Sequence, residues 1–221
     1  MPVEIAPGIS GELGDGEPVL AMSMGLHLPF NSRFRQGRRP STNAAVFLDR
    51  DGVIVRDVHY MRTSSQIDLL TDVTALRALQ DRFFLIVVTN QSGIARGFLT
   101  EPDLLAIHRE LVLQLAAEGM IIDAFYYCPH LATATVDGYR VSCDCRKPGT
   151  GMLIRAEADW GIDLNSSYMI GDTPRDIQAG VAAGLAKNIL ISRDAPDLSQ
   201  AVRDILGLNA PASDAAIKRA S

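Results

Sequence analysis

The stretch AAVFLDRDG, residues 44–52, changes character halfway along. Five apolar residues run into Asp49, and a second acid, Asp51, follows after one cation, Arg50. A short, continuous apolar run that stops at a turn signal reads as a strand buried on both faces, the kind found in parallel sheets. Other runs have the same form. FFLIVVTN (83–90) stops at Thr89 and Asn90, and SYMIGD (167–172) stops at Asp172. IDAFYYC (122–128) and KNILIS (187–192) complete the strand candidates. Helical stretches separate them. Residues 71–81 carry Val73, Leu76 and Leu79 at helical spacing. Residues 100–119 have Thr100 as N-cap, Pro102 in the first turn and Gly119 at the stop. Further helices are expected over 151–161 (ending at Gly161), 173–184 and 196–207. Strands alternating with helices predict βαβ units with right-handed crossovers, hence an α/β fold: a three-layer, doubly wound parallel sheet. Ligands of such sheets bind outside the carboxyl ends of the strands. Asp49, Asp51, Thr89, Asn90 and Asp172 all fall there.

Composition narrows the possibilities. The chain has 221 residues, a net charge of −5, 47% hydrophobic and 21% charged residues, which suits one compact domain with appendages. Residues 1–42 are rich in Gly and Pro and read as a flexible or peripheral arm, within which LAMSMGLHLPF (20–30) could dock on the domain. Residues 43–208 form the expected domain and 209–221 a C-terminal tail. No apolar run is long enough to span a bilayer and no secretory leader is evident, so a cytoplasmic protein without a membrane partner is expected. A mildly acidic chain has no global attraction for nucleic acid. Three cysteines, an odd number, argue against a disulfide framework. A monomer is expected.

Carboxylates gathered at one sheet edge repel, and a hard cation relieves the repulsion. All-oxygen ligands with an open shell suit Mg²⁺. A calcium loop fits poorly, because Gly52 follows Asp51 directly and the later ligands are missing. A dinucleotide site would need a GxGxxG after the first strand, and none is there. The stretch CPHLATATVDGYRVSCDCRKP (128–148) holds every cysteine of the chain. Cys128, His130, Cys143 and Cys145 form a closed structural set for Zn²⁺, although Cys-x-His and Cys-x-Cys are tighter than the usual spacing. The plainer alternative is three reduced thiols in a loop with His130 on the surface.

Four segments resemble, in order, the motifs of the haloacid dehalogenase superfamily of phosphatases: FLDRDGVIV (47–55), TNQSG (89–93), CRKP (145–148) and IGDTPRD (170–176). The resemblance covers residues 44 to about 192. It implies that Asp49 is a nucleophile forming an aspartyl phosphate and that Asp51 is the acid and base. It further implies that Asp49, the backbone carbonyl of Asp51, and Asp172 hold Mg²⁺. Thr89 and Lys147 would grip the phosphoryl oxygens, and Asp176 would support the metal site from behind. Val53 stands where the family commonly has Thr.

A narrower resemblance rests on YYCPH (126–130), CDCRKP (143–148), GML (151–153), DRDG (49–52) and TNQSGIARG (89–97). The chain is similar to the D-glycero-D-manno-heptose 1,7-bisphosphate 7-phosphatase family, whose enzymes supply lipopolysaccharide or S-layer sugar precursors in bacteria and lack a large cap domain. The gap VIVRDVHYMRTSSQIDLL (53–70) is indeed too short for one. The resemblance implies substrate contacts from Asp57, Val58, His59 and Tyr60, from Thr89, Asn90, Gln91 and Ser92, and from Arg146 and Lys147. A zinc knot at Cys145 would hold those two cations over the phosphate, leaving Arg146 for a remote part of a sugar phosphate. The chain departs from the family with DVHY for DHGY and with Thr173 where some members have Lys. Histidinol-phosphate phosphatase, or another sugar-phosphate phosphatase, is the nearest rival. A signalling receiver domain would take its phosphoryl Asp from a later strand and lack an acid two residues on. A non-catalytic sugar-phosphate-binding scaffold would not need Asp49, Asp51, Lys147 and Asp172 all intact.

Overall fold

A computed structural model of the chain describes residues 25–27 and 39–208. The expectations for the rest of the arm and for the C-terminal tail fall outside these residues. Strands β1 (Gly25–His27), β2 (Ala45–Leu48), β3 (Phe84–Asn90), β4 (Ala124–Cys128), β5 (Tyr168–Gly171) and β6 (Lys187–Leu190) form one six-stranded sheet. Its order is β1-β4-β3-β2-β5-β6. All neighbours pair in parallel except β1, which runs antiparallel to β4 with Leu26 opposite Tyr126. The sheet is therefore mixed at one edge, where a piece of the expected arm docks as a strand. The helices are α1 (Glu101–Ala117), α2 (Gly151–Trp160), α3 (Pro174–Ala182) and α4 (Leu198–Leu206). None of the described helices is long and apolar enough to cross a membrane.

Strand periodicity builds two cores. Successive side chains of a strand point to opposite faces. Val46 and Leu48 of β2 join Leu85 and Val87 of β3 on one side, packed with Leu104, Ile107, Leu111 and Leu115 of α1 and with Ala201, Val202 and Ile205 of α4. Ala45 and Phe47 join Ile86 and Val88 on the other, against Met152, Leu153, Ala156 and Trp160 of α2 and Ala179 of α3. This is the expected three-layer arrangement. Thr100 caps α1 in a reciprocal box with Asp103, and Gly161 ends α2 in the left-handed region at φ 66°.

Two local expectations shift. Residues 71–81 do not make an α-helix. Val73–Leu79 is a 3₁₀ helix with Val73, Leu76 and Leu79 buried. A strict three-residue spacing is the 3₁₀ repeat, in which side chains at i and i+3 eclipse. The apolar run of β6 is half exposed because β6 is an open edge, with Lys187 and Leu190 in solvent.

The chain leaves β2 for β3 and β4 on one side and returns to β5 and β6 on the other. The reversal beside β2 opens a crevice at the carboxyl ends of the strands. Between β2 and Val73–Leu79 there is one short 3₁₀ turn, Ser64–Gln66, and two isolated bridges, so no cap domain covers it.

Phe47 is fully buried at the centre of one core. Phe47→Ala is expected to lower stability by about 3–5 kcal/mol in denaturant titration, the cost of a large-to-small change in a tight core.

Candidate active site

Asp49 is the first residue beyond β2. Its N–H donates to the Ile170 carbonyl of β5, which pins it between the two strands. The residue is 5% exposed. Lys147, 2% exposed, enters from below the crevice. Its Nζ donates to the Val88 carbonyl at 2.6 Å and pairs with Asp176 Oδ1 at 2.7 Å and Asp49 Oδ1 at 3.1 Å. The backbone of Lys147 is clasped by Asn90: Lys147 N donates to Asn90 Oδ1 and Asn90 Nδ2 donates to the Lys147 carbonyl, both at 3.0 Å. Asn90, expected as a substrate contact, locks the lysine that follows the cysteine loop.

Unequal sharing of one ammonium separates the two acids. Burial pushes the pKa of Asp49 up to about 7; Lys147 opposes this, while Asp176, Asp51 and Asp172 repel its charge. Burial acts on Asp176 too, but Lys147 and the bonds from Thr173 outweigh it and hold Asp176 below the usual carboxylate range. Asp172 is raised by burial, with Arg193 opposing. Close approach at this edge demands glycine twice. A Cβ on Gly52, whose φ is +83°, would lie 2.1 Å from Asp172 Oδ2, and one on Gly171 would lie 2.2 Å from the Asp176 Cβ.

Asp51 sits at the rim, its carboxylate gripped by Arg50 and Gln91. Above these residues lies a cavity of about 440 Å³. Its wall includes Asp57, His59, Tyr60, Thr89, Asn90, Gln91, Ser92 and Arg146, as the sequence led one to expect, but not Val58, which is exposed, nor Lys147, which lies beneath. Where the DHGY pattern has Gly, His59 stands with φ 68°, a left-handed backbone that glycine adopts without cost. Asp57 Oδ1 braces this turn by accepting from His59 N at 2.7 Å. Arg146 Nη1 donates to the His130 carbonyl at 3.3 Å, tying it to the cysteine loop.

Arg96, Arg175 and Arg193 also reach the cavity, and none was singled out from the sequence. Arg193 follows the fifth predicted strand, so the same strand-end rule that found Asp172 points to it. It donates to Asp172 Oδ2 at 2.7 Å and pairs with Asp57 Oδ2 at 2.9 Å. Arg96 stands over the Tyr60 ring at 5.7 Å.

Two sets of donors fit metal ions. Asp49, Asp172 and Asp176 bring carboxylate oxygens within 4.8 Å of one another. Asp172 Oδ1 is buried with no hydrogen-bond partner, as an atom reserved for a cation would be. Oxygen donors of this hardness suit Mg²⁺. Asp176 is already engaged by Lys147 and by Thr173, which suits a supporting place. Asp51 contributes no carboxylate to this group. The second set is Cys128, His130, Cys143 and Cys145, with the sulfurs 3.2–3.6 Å apart and His130 Nδ1 3.3 Å from Cys145 Sγ. Tetrahedral zinc at about 2.3 Å from sulfur spaces its ligands about 3.8 Å apart, so the cage is slightly contracted but complete. Hydrogen bonding from the Cys145 thiol brings the Cys128 pKa down to about 6, which prepares a first thiolate; that same contact pushes Cys145 up.

Comparison with known proteins agrees with this geometry. Residues 144–203 match a family model described as HAD-hydrolase-like. A Rhodopseudomonas palustris protein named D-glycero-beta-D-manno-heptose-1,7-bisphosphate 7-phosphatase is 41% identical over 150 residues, 67% of this chain and 81% of its own length. A protein of the same name from Escherichia coli is 42% identical over 154 residues, 69% of this chain and 81% of its own. The solved D,D-heptose 1,7-bisphosphate phosphatase of B. bronchiseptica, complexed with magnesium and phosphate, superposes with a TM-score of 0.66 at 28% identity, over 75% of this chain and 99% of that one. A putative HAD-like phosphatase from Mesorhizobium loti gives 0.67 at 32% identity, over 76% and 86%.

The raised Asp49 pKa carries a sign. A folded-state value of about 7 against 3.8 unfolded means stability is full below pH 3.8 and is lost as pH rises through 7. Metal-free Asp49→Asn lacks that loss. It is expected to be more stable than wild type at pH 8 by about 1–2 kcal/mol, below the roughly 4 kcal/mol that the shift alone would allow, because the Lys147 contact weakens. The gap should narrow below pH 7 in thermal melts, and Mg²⁺ should stabilise wild type more than the variant. For the cysteine cage, metal analysis of protein purified without chelator should find about one zinc per chain, as four ligands imply. Cys143→Ser should lose it and raise KM while far-UV circular dichroism stays native.

Proposed function

We propose, since this chain belongs to the D-glycero-β-D-manno-heptose-1,7-bisphosphate 7-phosphatase family of haloacid dehalogenase-like hydrolases, that it removes the 7-phosphate of that heptose bisphosphate through an aspartyl phosphate. As a member of that family it is a phosphoric monoester hydrolase. The observation that supports the route best is the single buried ammonium of Lys147, which faces Asp49 at the floor of an arginine-rimmed cavity.

In the first half-reaction an Asp49 oxygen attacks phosphorus and the bond to the sugar oxygen breaks, that oxygen taking a proton from Asp51. In the second, a water oxygen attacks phosphorus, the bond to Asp49 breaks and the water's proton returns to Asp51. Asp49, Asp172 and the backbone of Asp51 would hold Mg²⁺, which supplies charge neutralisation for the attacking carboxylate and the phosphoryl oxygens. Lys147 and Thr89 meet the charge that grows on those oxygens, with Asp176 keeping the ammonium aimed. Cys128, His130, Cys143 and Cys145 would hold Zn²⁺, which would fix the loop after β4 and keep Arg146 at the crevice for the second anionic end of the substrate. Asp57, His59 and Tyr60 line the opposite wall. With no cap domain, these loops carry most of the selectivity. A sugar bisphosphate does not cross a membrane unaided, so we place the enzyme in the cytoplasm, acting on a small-molecule partner as a monomer.

A phosphate-release assay with Mg²⁺ present tests the reading. Heptose 1,7-bisphosphate should be cleaved at carbon 7 well ahead of fructose 1,6-bisphosphate and histidinol phosphate. Asp49→Asn should bring turnover to background, and Arg146→Ala should lower kcat/KM for the bisphosphate by about 1–3 kcal/mol, the scale of a charge-assisted contact. Histidinol phosphate as the better substrate would move the enzyme to the rival family.

A further inference from the structure

Arg50 lies between the two acids of DRDG and is one of the largest fully buried side chains of the protein. A buried guanidinium is costly unless its donors are met. Here they are met mainly by one carboxylate that is not buried. Arg50 is 1% exposed and Asp51 24%. Arg50 Nη2 donates to Asp51 Oδ1 at 2.9 Å and Oδ2 at 2.8 Å, and Nε adds a 3.2 Å bond to Oδ1. Such a fork sets the rotation of a carboxylate, which the point charge of a lysine does not.

The guanidinium is itself locked from behind. Its Nη1 lies 3.5 Å from Nε2 of His108, a buried residue of α1 whose ring stacks on Phe125 at 4.4 Å. Arg can only donate, so in this contact Nε2 takes the acceptor place. Gln91 closes the circuit. Its Oε1 accepts from Arg50 at 3.2 Å, and its Nε2 donates to Asp51 Oδ2 at 3.0 Å and to Thr89 Oγ1 at 2.8 Å. One side-chain amide therefore joins the cation, the rim acid and the hydroxyl of Thr89 on the cavity wall. An ion pair serving the fold alone would not leave its acid on the cavity wall.

We propose that Arg50, backed by His108 and Gln91, is a positioning residue that holds the Asp51 carboxylate at the cavity rim, aimed to exchange a proton with the leaving oxygen and then with water. The proposal rests on the phosphatase reading above. It touches no substrate atom and acts through Asp51, so its loss is expected to depend on how much the leaving group needs a proton.

Arg50→Met and Arg50→Lys, each alone and in an Asp51→Asn background, would be assayed on heptose 1,7-bisphosphate and on p-nitrophenyl phosphate, whose leaving group needs little help. Arg50→Met should lower kcat on the sugar phosphate by roughly tenfold to a hundredfold, within the scale of general acid–base help, and by less than about threefold on the aryl ester, with KM nearly unchanged. Arg50→Lys should fall between. In the Asp51→Asn background Arg50→Met should change kcat by less than about twofold, since the group it positions is gone. Thermal melts and Mg²⁺ titration calorimetry report whether the variant folds. If it does not, His108→Phe, which keeps the ring stack and removes the acceptor, should show the same leaving-group dependence at about threefold. Equal losses on both esters, or an undiminished loss without Asp51, overturn the positioning role. In that case wild type is still active. Wild-type protein that releases no phosphate from either ester overturns the phosphatase reading itself.

Discussion

One ammonium organises the site. Lys147 Nζ sits in contact with the Val88 carbonyl, Asp176 and Asp49, so it ties β3, α3 and the end of β2 together in a place nearly closed to water. Burying a charge is tolerable only when it is paired and hydrogen-bonded. All three partners are needed to hold it, and the surrounding structure is built to supply them. Asn90 clasps its backbone, Thr173 and the first turn of α3 hold Asp176, and Gly171 lets that turn come close to β5.

The same concentration of charge explains why the site is electrostatically uneven. Burial raises the proton affinity of Asp49, and Lys147, which lies closer to Asp176 than to Asp49, offsets burial fully only at Asp176. Farther out, Arg50 pairs with Asp51, and Arg193 bridges Asp172 and Asp57. The cysteine–histidine cluster lies on the path to this lysine: Cys128 ends β4, and Cys145 precedes Arg146 and Lys147.

Most of the architecture was legible in the sequence because its signals are local. Apolar runs that stop at acids mark buried strands and their active ends, and Thr100 and Gly161 announce helix termini through backbone chemistry that needs no distant partner. The exceptions have physical causes. Val73, Leu76 and Leu79 carry a spacing of three, which a short segment satisfies equally well as an α-helix or a 3₁₀ helix. The apolar patch around Gly25–His27 suggested docking, but that it would pair as a strand with β4 depends on a free sheet edge elsewhere in the chain, where a Cβ on Gly25 would meet the Tyr127 ring.

By itself, then, the sequence determined the layers, the order of the catalytic segments and the identity of the acids and thiols, since each depends on residues within a few positions of one another. Only the tertiary structure decided which charges share which partners. That His108 backs Arg50, that Arg193 rather than Arg175 reaches Asp172, and that Asn90 clasps Lys147 follow from groups far apart in the chain meeting at ångström distances. Electrostatic energies vary steeply at that range and with burial, and neither quantity is written in the order of the residues.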